Sequence, residues 1–122
     1  MRNEPAPLLP QVFAVTTEPA RVTLALRIPP DLAYLPGHFP GVAVVPGVVQ
    51  IHWAVHFARQ YLKITEPFSH FEVVKFKELM VPSQQPTLTL NYSPRNGRLQ
   101  FLFHADAIEF SSGRIYFKAD HV

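Results

Sequence analysis

Residues 38–54 read HFPGVAVVPGVVQIHWA. Two Pro-Gly steps, Pro40-Gly41 and Pro46-Gly47, indicate a loop whose backbone takes special angles. The second step comes directly before an apolar run, where the fixed φ of proline favours the start of a helix. The first turn of a helix carries unpaired N–H groups and partial positive charge, so an oxyanion or a polarised carbonyl can bind there. The segment therefore predicts a loop bearing a histidine, His38, that leads into an anion-accepting helix start.

The run that follows, residues 48–62, is predicted to be the one strong helix of the chain, because it is long and contains neither Pro nor Gly. Most of its residues are apolar. They leave only a narrow polar stripe through His52, His56, Arg59 and Lys63. A helix that is apolar on almost every side is one that other elements enclose.

The rest of the chain is predicted to form a sheet. Clean alternation of apolar and polar residues predicts a strand over 21–28, and further β-rich segments lie at 11–17, 71–79, 87–92, 99–105 and 115–119. Asn96-Gly97 is a pair favoured in tight hairpins, and residues 111–113, Ser-Ser-Gly, are predicted to turn. Two strands, one enclosed helix and about four further strands describe an antiparallel sheet wrapped around a helix, so the fold class is α+β.

Composition limits the class of protein. The 122 residues are 48% apolar, contain no cysteine and carry a formal net charge of +2. These values predict one globular domain over residues 11–122, after a flexible lead-in at residues 1–10. The lack of cysteine excludes a disulfide framework and thiolate zinc sites, and the balanced charge argues against a general nucleic-acid binder. No apolar run reaches about 18 residues and the first residues lack the apolar segment of a signal peptide, which predicts a cytoplasmic protein without membrane association.

Three segments carry a resemblance to a known family. The pattern HFPG-x4-PG-x4-H-x-A over residues 38–54 resembles the central motif of the hotdog-fold 3-hydroxyacyl-(acyl carrier protein) dehydratases. Residues 75–82, KFKELMVP, resemble the strand and proline turn that follow the helix in that family, and QIHWA at 50–54 is similar to its subgroup associated with aryl polyene biosynthesis. The resemblance covers residues 30–120 and implies a hotdog fold, in which an antiparallel sheet wraps one long helix.

The resemblance also implies roles for individual residues. His38 stands where the family has the base that removes a proton from the carbon beside the thioester carbonyl. Gly47 stands where the family has the glycine that opens the helix, whose backbone N–H polarises that carbonyl and stabilises the developing enolate. The residues expected to line the substrate site are Phe39, Pro40, Gly41 and Val48.

The third catalytic position departs from the family pattern. Fourteen residues after the histidine the family has a Glu or Asp, held on the helix of the partner subunit, and this chain has His52 there. A free imidazole has a pKa of about 6.5, so an imidazolium can supply a proton near neutral pH. Two neighbouring imidazoliums would repel each other, which favours one neutral base and one charged acid. We therefore expect His38 and His52 to act as base and acid across a dimer interface.

The leading prediction is a dehydratase that converts a 3-hydroxyacyl group on acyl carrier protein into a trans-2-enoyl thioester, in fatty acid or aryl polyene-type biosynthesis. No cofactor and no metal are expected; His52 and His56 have the i, i+4 spacing of metal ligands, but no third ligand is evident nearby. A homodimer is the minimum assembly, because one wrapped sheet leaves a flank of its helix exposed. Two alternatives stay open: a hotdog acyl thioesterase, and a non-catalytic hotdog subunit that pairs with an active dehydratase.

Overall fold

The structure is a computed structural model that describes residues 8–31 and 44–118. Within these residues the chain forms one helix and six strands, and the helix lies within one residue of its predicted position at each end. The elements in chain order are β1 Gln11–Glu18, β2 Arg21–Arg27, α1 Gly47–Tyr61, β3 Phe68–Phe76, β4 Thr87–Ser93, β5 Arg98–Ala105 and β6 Ile108–Phe117.

The six strands form a single sheet in the order β1-β2-β4-β5-β6-β3. Every pair of neighbours is antiparallel. Strands β1 and β2 form a hairpin, β4, β5 and β6 form a meander, and β3 joins the far edge beside β6. The predicted α+β class, an antiparallel sheet with one helix, is therefore confirmed.

The core lies between α1 and one face of this sheet. In β2 the alternation is as predicted: Val22, Leu24 and Leu26 are buried, while the residues between them are partly exposed. Trp53 of α1 is completely buried among these strands. Fully burying one aliphatic or aromatic side chain of this size stabilises a fold by about 1.5–3 kcal/mol, so this layer holds the helix against the sheet. The other buried members of this cluster include Ala54, Phe57, Ala58, Leu88, Leu90, Leu99, Phe101, Phe103 and Ile115.

The segment just before β1 is attached to the same core. The indole Nε1 of Trp53 donates a hydrogen bond of 3.0 Å to the carbonyl oxygen of Leu8, and Pro10 is buried. This buried donor would otherwise have no partner, which gives the segment a defined place. The boundary between a lead-in and the domain stays a prediction.

The hairpin predicted at Asn96-Gly97 is confirmed. Four residues, 94–97, connect β4 to β5, and the N–H of Asn96 donates to the carbonyl oxygen of Ser93 at 3.3 Å. Gly97 has a φ of 65°, and a Cβ on it would lie 2.6 Å from the carbonyl oxygen of Phe117. Only glycine fits both this left-handed angle and this close approach.

The turn predicted at residues 111–113 is wrong. Strand β6 runs through these residues, and the chain reverses instead at Asp106-Ala107, where Asp106 has a φ of 50°. The physical reason is packing: a Cβ on Gly113 would come within 2.9 Å of side-chain atoms of both Phe101 and Val74. The small residues at 111–113 permit close contacts inside the sheet, and the sequence alone does not distinguish this role from a turn.

Strand β3 is displaced from its predicted range of 71–79. It begins at Phe68 and ends at Phe76, and its pairing with β6 is irregular between Glu72 and Lys75. Val73, inside that irregularity, has a φ of 53°. A positive φ at a β-branched residue is uncommon and here accompanies a β-bulge, which explains why the alternation along this strand is imperfect.

Candidate active site

The start of α1 has no cap among the described residues. Pro46 precedes the helix with φ −59° and ψ 148°; no side chain in the described part of the chain caps it, and the first turn has no acidic residue. The carbonyl oxygen of Pro46 accepts hydrogen bonds from the N–H groups of Val49, at 3.1 Å, and Gln50, at 3.2 Å. The N–H groups of Gly47 and Val48 come before these bonds and point out of the end of the helix. This arrangement suits a carbonyl oxygen or oxyanion.

An aromatic ring from the sheet lies beside this helix start. A Cβ built on Gly47 would be only 2.6 Å from Cζ of Phe76, the last residue of β3, so the ring packs directly against the glycine. The side chain of Phe76 is 51% exposed, and the remainder of its surface is covered. No role was predicted for Phe76, although it lies in the KFKELMVP segment that carries part of the family resemblance. The contact joins residues 29 positions apart, and no local pattern signals it.

The exposed side of α1 carries the second predicted site residue. His52 is exposed, and so is Val48 one turn earlier, with 73% of its surface accessible. Residues four apart lie on the same face of a helix, so Val48, His52 and His56 form one stripe that leads away from Gly47. Burial and the nearby charge of His52 both lower the pKa of His56 from its usual 6.5, burial being the larger cause. The structure thus places Val48 and His52 on one exposed side of the helix, with Gly47 at its start.

Four predicted site residues lie outside the described residues: His38, Phe39, Pro40 and Gly41. Their roles stay predictions. The described chain resumes at Val44, and both Val44 and Val45 are buried, so the segment that leads into the helix packs into the core. The side chain of Gln50 contacts this segment from inside the fold. Gln50 was not predicted to have a role, although it is a polar residue in the apolar helix and begins the QIHWA run that carries part of the family resemblance.

Within residues 8–31 and 44–118, no three His, Asp or Glu side chains come together as a metal site would require. In the same ranges no helix has the length and apolar character needed to cross a membrane.

A cavity of about 310 Å³ lies on the sheet, lined by residues of β3, β5 and β6 that include Lys75 and Arg114. None of its lining residues belongs to α1, so this cavity is separate from the helix start.

Comparison with known proteins gives consistent results. A family model described as ApeI-like, ApeI dehydratase, matches residues 14–114 of the chain. The dehydratase heterocomplex ApeI:P from Xenorhabdus doucetiae is similar in structure, with a TM-score of 0.85 and 29% sequence identity over 90% of this chain and 98% of that one. An uncharacterized protein from Erwinia carotovora subsp. atroseptica is also 29% identical, with a TM-score of 0.80 over 92% of this chain and 98% of that one. No curated protein matches the chain. The structural similarity confirms the predicted hotdog fold.

Proposed function

The chain belongs to the ApeI-like dehydratase family, and we propose that it removes water from a 3-hydroxyacyl thioester carried by acyl carrier protein, in fatty acid or aryl polyene-type biosynthesis. The observation that supports this proposal best is the start of α1 at Gly47, which no side chain of the described residues caps and against which the ring of Phe76 packs. Elimination from a thioester needs a donor that stabilises negative charge on the carbonyl oxygen. A backbone N–H at the positive end of a helix is such a donor.

The proposed reaction uses three groups of the protein. The imidazole of His38 removes a proton from the carbon beside the carbonyl, and the charge that develops on the carbonyl oxygen is stabilised by the N–H of Gly47. The electron pair then forms the new carbon–carbon double bond as the bond to the 3-hydroxyl group breaks. The imidazolium of His52 gives its proton to the departing hydroxyl, so water and the trans-2-enoyl thioester are released. Proton return from His38 to His52 through solvent resets the site.

We further propose that a second hotdog subunit, identical or related, covers the exposed stripe of α1. Val48 and His52 face outward in the single chain, and β3 is an edge strand with four exposed apolar side chains. These are Phe68, Phe71, Val73 and Phe76. An edge strand with this much exposed apolar surface favours pairing with another chain. Edge-to-edge pairing would present the His52 of one subunit to the His38 loop of the other.

Two observations favour a second candidate function, a non-catalytic subunit that pairs with an active dehydratase. His52 stands where the resembled family has a carboxylic acid, and one similar solved structure is a heterocomplex. In that case the chain would retain the fold and the partner surface and would lack the proton donor. No observation of this kind favours the thioesterase alternative, since the family is named a dehydratase.

The test is turnover of 3-hydroxyacyl–carrier protein by the purified chain, measured by mass spectrometry as loss of water, with hydrolysis of the thioester followed in the same samples. His38→Ala and His52→Ala are each expected to reduce kcat by about 100-fold or more, as for the loss of a general base or acid. His104→Ala, on β5 and away from the helix, is the matched control and is expected to keep turnover.

Unchanged turnover in His38→Ala or His52→Ala would remove that residue from the mechanism. No dehydration by the chain alone, with turnover restored by a second hotdog chain, would support the non-catalytic subunit instead. Sedimentation of the wild-type protein tests pairing of identical subunits, which a monomer at all concentrations would contradict. Sedimentation with a second hotdog chain tests pairing with a related subunit, which the absence of a complex would contradict.

A further inference from the structure

A buried hydrogen-bonded amide lies directly behind the proposed site. Gln50, in the first turns of α1, is only 3% exposed. Its Nε2 donates to the carbonyl oxygen of Val45 at 3.1 Å, and its Oε1 accepts a hydrogen bond of 2.7 Å from Oγ of Ser111. Ser111 is completely buried in the middle of β6. The side chain of Gln50 therefore joins three separate parts of the chain: the segment before the helix, the helix and the sheet.

This connection fixes the backbone of Val45, two residues before Gly47. The N–H of Val45 donates to the carbonyl oxygen of Met80 at 2.7 Å, while its carbonyl oxygen accepts from Gln50. Val45 is thus bonded on both sides. Only Pro46 separates it from Gly47, and the ring of a proline restricts φ. The position of the Gly47 N–H relative to the sheet consequently depends on the hydrogen bonds at Val45.

The chemistry of Gln50 matches this task. An apolar side chain of similar shape, such as methionine, would fill the same space in a core, but it would leave the Val45 carbonyl and the Ser111 hydroxyl without these partners. Glutamine has both a donor and an acceptor, so it can satisfy the carbonyl and the hydroxyl at once. The amide lies three residues after Gly47, whose N–H is the proposed donor to the substrate.

We propose that Gln50 is a positioning residue for the reaction. Through its hydrogen bonds to Val45 and Ser111, it keeps the N–H of Gly47 aimed at the thioester carbonyl. The inference rests on the proposed function, since it assigns Gln50 to the same site. Donors of this kind stabilise the transition state only when they are aimed at the position of the developing oxyanion, and a small displacement weakens catalysis more than binding. Loss of Gln50 should therefore reduce kcat and leave KM almost unchanged.

The experiment compares four variants of the whole chain in its native assembly. Gln50→Met keeps length and volume but removes both hydrogen bonds, Ser111→Ala removes only the bond on the sheet side, and a double variant combines them. The control is Thr89→Val, a near-isosteric change at another buried polar residue of the sheet. Each variant is assayed for kcat and KM on 3-hydroxyacyl–carrier protein, for amide hydrogen exchange at Val45, and for thermal unfolding.

We expect Gln50→Met to reduce kcat by about 10- to 100-fold, with KM within about twofold, and to accelerate amide exchange at Val45, whose N–H is bonded to Met80. Ser111→Ala should have a smaller effect on kcat, and the double variant should be no worse than Gln50→Met, because both changes break one connected network. Thr89→Val should retain kcat and the exchange rate at Val45. A folded Gln50→Met with wild-type kcat, or with a raised KM and an unchanged kcat, would overturn the proposal.

Amide exchange separates this inference from the proposed function. If the wild-type chain shows no dehydration, the proposed function fails, and the anchoring role of Gln50 is judged by exchange alone. Faster exchange at Val45 in Gln50→Met then supports the anchoring, and unchanged exchange overturns it. If Gln50→Met does not fold, Ser111→Ala decides: wild-type kcat together with wild-type exchange at Val45 would contradict the proposal.

Discussion

The two ends of α1 are built in opposite ways. At the C-terminal end, the N–H of Leu62 bonds the carbonyl oxygen of Ala58 at 2.8 Å, and Nη1 of Arg59 donates to the carbonyl oxygens of Ile64, at 3.2 Å, and Glu66, at 3.0 Å. The Cζ atom of the same guanidinium lies 5.2 Å from the centroid of the Phe117 ring. A cation in the last turn also complements the negative end of the helix dipole.

In the described part of the chain, no side chain stabilises the N-terminal end in this way. It has no capping side chain and no acidic residue in its first turn, and it begins with a glycine. A Ser, Thr, Asp or Asn cap stabilises a helix by about 1 kcal/mol. The described residues do not supply this stabilisation at the N-terminal end. The contacts of Arg59 show that the C-terminal end serves the fold, and the contrast supports the proposal that the N–H groups at the other end bind a ligand.

The largest expected effect comes from removing the N–H of Gly47 without breaking the helix. Gly47→Pro does this, because proline is tolerated at the first helical position and Pro46 already has the extended backbone that a following proline requires. Loss of one oxyanion donor reduces kcat by about 100- to 1,000-fold. The measurement is steady-state dehydration of the acyl carrier protein substrate.

Gly47→Ala is the matched control for that prediction, because it adds a Cβ against Phe76 but keeps the N–H. The half-exposed ring can turn aside, so a smaller loss of kcat is expected than for Gly47→Pro. Equal losses in the two variants would show that crowding by Phe76, and not the N–H, matters at this position.

An intermediate effect is expected at the opposite end of the helix. Arg59→Met removes both hydrogen bonds to carbonyl oxygens and the contact of the guanidinium with Phe117, while keeping an apolar stem. We expect the free energy of unfolding to fall by about 1–2 kcal/mol, given the partial exposure of the group. Urea denaturation measures this change. The kcat per folded molecule should stay at the wild-type value; a large fall in kcat without loss of stability would contradict the division between the two ends.

The smallest effect concerns His56, between the two ends. Burial, and secondarily the charge of His52, lower its pKa in the folded protein below the ordinary 6.5. The unfolded chain therefore binds a proton more readily than the folded one, and stability is lost as the pH falls through the ordinary value toward the lowered one. His56→Gln should reduce the difference in unfolding free energy between about pH 7.5 and about pH 5.5.

His52→Gln is the companion to that variant. It removes only the lesser cause, so it should reduce the same pH dependence by a smaller amount. Denaturation curves for the three proteins at both pH values provide the comparison. A pH dependence that is the same in His56→Gln and the wild type would show that other groups account for it.

Sequence patterns sufficed for the elements that depend on neighbours along the chain. The alternation over residues 21–28 and the long run without Pro or Gly before Leu62 correspond to β2 and α1, because the faces of strands and helices follow directly from local periodicity. The same reasoning failed at 111–113, where small polar residues suggested a turn. There the contacts of Gly113 with Phe101 and Val74 decide the conformation, and these are contacts between strands.

For the site, the sequence by itself determined which residues the family pattern marks: His38, Gly47 and His52, with an open helix start following Pro46. Only the tertiary structure decided what surrounds that helix start. Phe76 reaches Gly47, and Ser111 reaches Gln50 across 61 positions of sequence. The physical reason is that periodicity and turn chemistry act over a few residues, whereas the packing of a strand against a helix is set by the register of the whole sheet.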